Sequence, residues 1–102
     1  MNWKKIKGYD YIASKEGNIR RLMNDNCQLP VKIFTKRNGY EFVYLWKNNS
    51  KNTFFVHRLV ADVWLPNKNY KKYQVDHINK IRNDNRLENL RWVTPKENCL
   101  HP

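Results

Sequence analysis

Hydrophobic and polar positions along the chain predict a series of short strands before a single helix. The apolar run 11–13 and the segment 19–22, which has apolar residues at both ends, flank the turn-forming residues 14–18; this is the pattern of a β-hairpin with Gly17 at a positive φ. The run 40–46 is rich in aromatic and β-branched residues and predicts the longest strand. The N-terminal half is therefore expected to be β-structure.

Two more short strands are predicted around the longest one. The run 31–34 precedes the Asn38-Gly39 pair, a strong hairpin signal. The run 53–56 follows a polar turn at 47–52. Residues 23–30 are polar, end at a proline and are expected to form a loop. The centre therefore predicts an antiparallel meander with basic turns.

Residues 57–65 predict a short helix, which Pro66 ends because the residue before a proline disfavours helical backbone. The apolar residues of this segment form one stripe, at i, i+1, i+4 and i+5: Leu59, Val60, Val63 and Trp64. A basic linker, 67–73, then leads into the last quarter of the chain.

The last quarter predicts the order strand, loop, strand, helix. Asp76 and His77 stand side by side at the end of the first strand, and a polar, basic loop follows them. Thr94 is a good N-cap, Pro95 suits the first helical position, and Glu97 completes a capping box. Polar groups of the first strand and of the helix can therefore converge.

Charge points to a polyanionic partner. The 102 residues allow one ordinary domain, or two very small ones that share a core. Lysine and arginine number 20 against 9 acids, a net charge of +11 that favours nucleic acid. The sequence has no long apolar run and no obvious basic amphipathic helix, the two features that would favour a membrane surface instead.

The cysteines argue against a cysteine-based zinc site, because Cys27 and Cys99 are far apart and belong to no Cys-x-x-Cys pair. The N-terminus is polar and lacks the pattern of a signal peptide. Two free thiols in a reducing cytoplasm are therefore expected. Cys99 has no activating base placed near it by the sequence, which argues against a nucleophilic role.

The last quarter resembles the HNH endonuclease family, in the homing branch encoded by phages and introns. Eleven residues separate His77 from Asn89 and eight separate Asn89 from Asn98, which is the spacing of that family. Lys80 stands where family members often carry a turn glycine, and the third motif position is asparagine instead of histidine. The match consists of Asp76-His77, the run 85–94 and Glu97-Asn98.

The resemblance extends more weakly to the rest of the chain. The spacing from Trp3 to Ile19 is similar to a small module at the N-terminus of many homing HNH proteins, and 57–61 is similar to the segment before their catalytic unit. It implies an α+β fold: an antiparallel β-meander, a short helix and a C-terminal ββα-metal (HNH) motif. Residues 1–56 would be a DNA-contacting β module, and 57–102 the nuclease motif with its preceding helix.

The resemblance also implies roles for the motif residues. His77 would be the general base, and Asp76 and Asn98 would bind a divalent metal, Mg²⁺ or Mn²⁺, which prefers oxygen ligands. Asn89 completes the catalytic motif and is expected to hold the loop against the strand, so that it orients His77. Because adjacent strand residues point to opposite faces, a bulge or a turn is expected at Asp76-His77.

Several other residues are candidates for contacts. His57 is expected to be structural, bonded to a backbone partner within the core. His101 lies three residues after Asn98 on the same helical face and could add a metal ligand. Basic residues expected to contact DNA are Arg20, Arg21, Lys36, Arg37, Lys80, Arg82, Arg86 and Arg91.

Three functions fit these features. The leading one is a metal-dependent endonuclease that nicks double-stranded DNA, in the cytoplasm of a phage-infected bacterium. The second is a DNA-binding module derived from an HNH nuclease that has no catalytic activity. The third is a zinc-stabilised RNA-binding domain, which stoichiometric zinc in the purified protein would distinguish from the others.

Overall fold

The computed structural model describes residues 2–23, 27–66 and 72–95. The fold is α+β, with three antiparallel sheets and, within these residues, one α-helix. The strands, in chain order, are β1 (Trp3–Lys5), β2 (Tyr11–Ser14), β3 (Ile19–Leu22), β4 (Gln28–Pro30), β5 (Phe34–Thr35), β6 (Glu41–Lys47), β7 (Ser50–Phe55), β8 (Gln74–His77) and β9 (Leu90–Val93). The helix is α1 (Val56–Trp64).

Each sheet joins strands that are neighbours in the sequence. The first sheet has the order β1-β2-β3-β4, the second β5-β6-β7, and the third pairs β8 with β9. The predicted hairpin is confirmed: β2 pairs with β3, and Gly17 has φ +93° in the turn between them. The turn at Asn38-Gly39 is confirmed as well, with Gly39 at φ +94°.

The hairpin of β6 and β7 is tighter than the sequence predicted. Asn48 and Asn49 both have positive φ, 52° and 63°, so they form a two-residue turn whose twist matches that of the strands. Strand β7 therefore begins at Ser50, inside the segment predicted as a turn. Asparagine tolerates this backbone region better than most residues, and the sequence offers it twice in succession.

The predicted helix is confirmed within one residue at each end. No side chain caps its N-terminus, so its stability comes from one buried face and not from local capping. Val56, Leu59, Val60 and Ala61 are buried, and Trp64 packs against the same core. Burying such a valine or leucine contributes about 1.5–3 kcal/mol each.

One hydrophobic core joins the N-terminal strands to the C-terminal motif. Tyr11 of β2, Leu45 of β6, Val60 of α1 and Leu90 of β9 belong to the same buried cluster. The turn of the first hairpin also contacts the last segment directly, because the Leu87 amide donates a 2.7 Å hydrogen bond to the Lys15 carbonyl. The C-terminal motif is thus held by the sheets that precede it.

The pattern of hydrophobic residues did not predict the two edge strands of the first sheet, β1 and β4. Residues 28–30, predicted as part of a loop, form β4 and pair with β3, and β1 pairs with β2 on the other edge. The run 31–34 was predicted as a strand, but pairing there is confined to Phe34 and Thr35. Pairing of an edge strand needs backbone groups on one side alone, so Pro30 is tolerated there.

Candidate functional site

Strand β8 places Asp76 and His77 at its last two positions. The ladder with β9 is regular: Asp76 is opposite Arg91 and His77 is opposite Leu90. The expected bulge is absent, and a turn begins at the next residue, where the Lys80 amide donates to the His77 carbonyl at 2.9 Å. The two side chains therefore alternate between the faces of β8 and enter different surroundings.

Asn89 holds the loop that connects β8 with β9. Its Oδ1 accepts from the Asn79 amide at 3.0 Å, and its Nδ2 donates to Asn79 Oδ1 at 2.9 Å and to the Asp84 carbonyl at 2.8 Å. The side chain is 5% exposed, so these bonds replace its contacts with water. The loop-holding contacts predicted for Asn89 are present, and they fix both ends of the loop.

His77 is 4% exposed and lies within a polar and aromatic cluster. Its Nε2 is 2.8 Å from Oδ1 of Asn85, which is itself 3% exposed. The Asn85 amide nitrogen donates to Glu41 Oε1 at 2.9 Å. Glu41 is the first residue of β6, so the central sheet reaches His77 through one buried asparagine.

A second imidazole lies against the first. The His57 and His77 ring centroids are 4.8 Å apart, and Tyr40 contacts both rings, at 5.4 and 5.9 Å. Burial, and to a smaller extent the charges of His77 and Arg58, together lower the pKa of His57 to about 4. His57 is therefore neutral at pH 7 and packs as an aromatic ring.

The expectation that His57 bonds to the backbone is not confirmed. Its Nδ1 is buried and has no hydrogen-bond partner among the described residues. The helix N-cap is Phe55, so His57 does not cap α1 either. Stacking on Tyr40 holds the ring where a hydrogen bond was expected.

Asp76 meets cations instead of rings. Its Oδ2 is 3.1 Å from Arg91, and its Oδ1 is 3.5 Å from Lys80 Nζ. Lys80 has φ +65°, the left-handed conformation that glycine adopts at no cost, which agrees with its place at a turn-glycine position. The carboxylate side chain is only 10% exposed, whereas those of Arg91 and Lys80 are 46% and 45% exposed.

The donors present fit a hard divalent cation held by few protein ligands. Asp76 offers one carboxylate, and Mg²⁺ keeps several waters and needs one or two such ligands. In the described ranges no group of three or more His, Cys, Asp or Glu side chains could hold a metal. The other predicted donors, Asn98 and His101, lie outside the described residues, as do Glu97 and Cys99.

The eight basic residues predicted to contact DNA fall into two groups. Arg86 bonds to Asp84 and Glu88, and its hydrogen bonds hold the pKa of the Asp84 carboxyl well below its usual range. Lys80 and Arg91 pair with Asp76. The remaining five form no ion pair with a described acidic residue: Arg20, Arg21, Lys36, Arg37 and Arg82.

Most of that second group lies over aromatic rings. Arg20 is 4.6 Å from the Trp3 ring centroid and Arg82 is 4.9 Å from that of Tyr40. Lys36 is similarly placed over Phe55 at 5.0 Å. Such contacts position a cation without neutralising it, so its charge stays available to a polyanion.

Sequence reasoning missed two residues of the cluster, Asn85 and Glu41. Asn85 lies inside the matched run, eight residues after His77, but nothing in its type distinguishes it from the other loop asparagines. Glu41 is 44 residues away from Asn85 and belongs to a strand chosen for its aromatic content. The usable signal was a single acid in an otherwise apolar strand, which requires a partner if it is not fully exposed.

Comparison with known proteins defines the class. Residues 54–100 match the family described as HNH endonuclease, so this part of the chain belongs to that family. The resemblance predicted from the motif spacing is thereby confirmed. HNH nucleases generally use a divalent metal ion.

Within that class, the chain is similar to particular homing enzymes. It is 36% identical over 101 residues to the DNA endonuclease I-HmuI of Bacillus phage SP01, covering 96% of this chain and 55% of that protein. It is 38% identical over 104 residues to an uncharacterized HNH endonuclease of Acanthamoeba polyphaga mimivirus, covering 97% of this chain and 25% of that protein. The chain thus spans between a quarter and about half of these relatives.

A solved structure shares the whole described fold. The structure titled as DNA binding and cleavage by the HNH homing endonuclease I-HmuI matches with a TM-score of 0.86 and 34% identity, covering 98% of this chain and 56% of that one. The predicted α+β class with antiparallel sheets is confirmed. No helix in the described part of the chain has the length and hydropathy to span a bilayer.

Proposed function

We propose that the chain is a metal-dependent endonuclease that hydrolyses phosphodiester bonds of double-stranded DNA and cuts one strand. The observation that carries the proposal is the buried His77, held by a hydrogen bond to Asn85 at the end of β8, directly after Asp76 in the strand. A phosphodiester is anionic and has a poor leaving group, so hydrolysis needs an activated water and charge neutralisation. A positioned imidazole and a neighbouring carboxylate are suited to those two tasks.

His77 would act as the general base. An imidazole that is neutral near physiological pH accepts the proton of an attacking water, which contributes typically about 10²–10⁴-fold to rate. The neutral His57 ring packs against it without adding a charge that would oppose protonation of His77. Asn89 would act through geometry, because it holds the loop that follows His77.

Asp76 and Asn98 would hold the cation, with Mg²⁺ or Mn²⁺ as the candidates. The chemistry that such an ion supplies when bound is charge neutralisation on the phosphate and on the departing oxygen. Arg91 and Lys80 lie against the Asp76 carboxylate and fix its orientation. Asp76, His77 and Asn98 would together complete a ββα-metal motif, in which β8 and β9 are the two strands.

The partner would be double-stranded DNA, held mainly through its phosphates. The net charge of +11 supports a polyanion on the N-terminal sheet, as do the two arginines of β3, which form no ion pair with a described acidic residue. A cavity of about 720 Å³ extends this surface and is lined by Lys5, Arg21, Trp46 and Lys47 among others. A single site in each chain would cut one strand, which supports nicking over a double-strand break.

A supercoiled-plasmid assay tests the proposal. The protein should convert supercoiled plasmid into the nicked form when Mg²⁺ or Mn²⁺ is present and not when it is chelated. His77→Ala should lower the nicking rate by roughly 1,000-fold, since it removes the base, while fluorescence anisotropy shows unchanged DNA affinity. Equal nicking by wild type and the alanine variant would refute the role of His77.

A DNA-binding module without catalysis is the alternative, and one observation favours it. Both oxygens of Asp76 already meet a cation, Arg91 on one side and Lys80 on the other, which competes with a metal. Metal-independent DNA binding by wild-type protein, with no nicked product at any divalent metal concentration, would establish this alternative.

A further inference from the structure

We propose that Glu41, acting through Asn85, holds His77 in one tautomer, with the proton on Nε2 and the free electron pair on Nδ1. The catalytic consequence rests on the proposed function, whereas the tautomer itself does not. Glu41 lies outside residues 54–100, the part of the chain that matches the HNH family. The proposal therefore assigns a positioning role to a residue contributed by the central sheet.

The orientation of the Asn85 amide is the first step. An amide can be placed with its oxygen and nitrogen exchanged, and hydrogen-bond partners must decide between the two. Glu41 Oε1 lies 2.9 Å from one end of this amide, and an ionised carboxylate only accepts hydrogen bonds. The NH₂ group must therefore face Glu41, which leaves Oδ1 facing the imidazole.

The orientation of the amide then decides the protonation of the ring. Asn85 Oδ1 is an acceptor 2.8 Å from His77 Nε2, so Nε2 must carry hydrogen. A neutral imidazole has one N–H, and Nδ1 is left with its electron pair. The opposite tautomer would place two acceptors against each other between groups that are 3–4% exposed, where no water can relieve the conflict.

The surroundings of Asn85 hold its backbone and its Cβ atom in place. A Cβ atom on Gly17 would stand 3.0 Å from Asn85 Cβ and 3.1 Å from its carbonyl oxygen, so the first hairpin packs directly on this residue. The Leu87 amide bonds to the Lys15 carbonyl of the same turn. The two hydrogen bonds thus link Glu41 of β6 to Asn85, and Asn85 to the His77 ring.

In the proposed reaction this arrangement selects the atom that takes the proton. Water transfers a proton to Nδ1 as its oxygen forms a bond to phosphorus. The bond from phosphorus to the departing oxygen breaks, and that oxygen keeps the electron pair and takes a proton from a second water. His77 then carries both ring protons, and the Nε2–H bond to Asn85 persists throughout. A ring in the other tautomer would present N–H to the water and could not accept the proton.

Three variants test the hydrogen bonds that link Glu41 to His77 through Asn85. Glu41→Gln keeps the size of the side chain but can present either a donor or an acceptor, so the tautomer is no longer imposed. Asn85→Asp keeps an acceptor toward Nε2 but places two carboxylates together. The double variant Glu41→Gln, Asn85→Asp restores donation to residue 85 and keeps its acceptor toward the ring. Glu88→Gln is the matched control, since Glu88 is exposed and bonds to Arg86.

The direct readout is the ¹⁵N spectrum of His77 at alkaline pH, in which protonated and unprotonated ring nitrogens have distinct shifts. Wild type, the double variant and Glu88→Gln should show Nε2 protonated, whereas Glu41→Gln should show a mixture. In the nicking assay, kcat should fall about tenfold in Glu41→Gln with little change in KM, and recover in the double variant.

Two results would overturn the inference: a wild-type spectrum with the proton on Nδ1, or a Glu41→Gln spectrum identical to that of wild type. Failure of the proposed function gives a different result. If wild-type protein never nicks DNA and Glu41→Gln still shifts the tautomer, the positioning role stands and the nuclease role fails.

Discussion

Two neighbouring residues of β8 lie in contrasting environments. On the imidazole side, the buried His77 is 2.8 Å from Oδ1 of the buried Asn85, whose amide donates to the partly buried Glu41 at 2.9 Å. On the carboxylate side, Asp76 meets the half-exposed side chains of Arg91 and Lys80 at 3.1 and 3.5 Å. The same strand thus carries a side chain held by buried groups, His77, and one held by half-exposed cations, Asp76.

The difference matches what each group must do in hydrolysis. A general base works from one position and one protonation state, so buried hydrogen bonds that specify its orientation are useful. A metal ligand must instead be able to leave its present partners, and the Arg91 and Lys80 side chains that pair with Asp76 are 46% and 45% exposed. Substitutions that affect one side and not the other test whether the two are independent.

The largest effect is expected from removal of the carboxylate. Asp76→Asn should lower nicking at least about 100-fold, because it removes the charge that attracts the cation. The half-saturating Mg²⁺ concentration should rise, while the ¹⁵N spectrum of His77 keeps its tautomer. Asp62→Asn is the control, since Asp62 is an exposed acid on α1 that pairs with Arg58. Equal metal dependence in the two variants would contradict the role of Asp76.

The imidazole side should be sensitive to Gly17. Gly17→Ala places a methyl group against Asn85 at a position with φ +93° and should destabilise the protein by about 3 kcal/mol. Gly39→Ala has φ +94° but meets only Arg82 carbons at 3.6 Å or more, so about 1 kcal/mol is expected. Urea unfolding measures both. Equal losses would show that the contact with Asn85 does not matter.

The cluster around His57 should make stability depend on pH. The folded pKa is about 4, below the ordinary value of 6.5, so between these values the unfolded chain binds a proton that the folded protein does not. Stability should therefore fall as pH drops from 6.5 to about 4, by at most roughly 3 kcal/mol.

The variant His57→Phe keeps an aromatic ring against Tyr40 and should lose this part of the pH dependence. Urea midpoints of both proteins, measured across the same pH range, give the comparison. Parallel curves for wild type and variant would show that His57 is not the group responsible.

The smallest effect is expected at Lys80. Lys80→Gly removes a strained positive φ and one cation near Asp76, so stability should change by less than about 1 kcal/mol. The half-saturating Mg²⁺ concentration should decrease slightly, since the carboxylate loses a competitor. Asn49→Gly, at a φ of 63° in another turn, tests the backbone effect alone. If both variants shift the half-saturating Mg²⁺ concentration equally, the shift does not come from loss of the Lys80 cation.

Much of the fold could be predicted because its signals are local. The helix was predicted from one apolar stripe, and the hairpin turn was predicted from Gly17, which does adopt positive φ. Edge strands such as β4 could not be predicted, since they pair through backbone groups and need no alternation of side chains. The motif could be identified because several residue types recur at fixed intervals from Asp76 to Asn98, and Asn89 makes loop contacts of the kind expected of it.

The environment of the site could be predicted only in part. Asn85 and Glu41 meet across 44 residues, and no periodicity links two polar residues so far apart in the sequence. The ion pair between Asp76 and Arg91 depends on which residue of β9 lies opposite Asp76, which only the register of the ladder decides. The stacking of His57 on Tyr40 has the same origin, since it joins two different elements of the fold.

The contact between Gly17 and Asn85 has a consequence for protein engineering. A nuclease motif cut out at the family boundary, near residue 54, would leave behind both Gly17 and Glu41, which support its loop. Grafted onto a foreign DNA-binding scaffold, it would keep its sequence signature and lose the support that orients the imidazole. A working chimaera should therefore transplant the first hairpin and the start of β6 together with the motif.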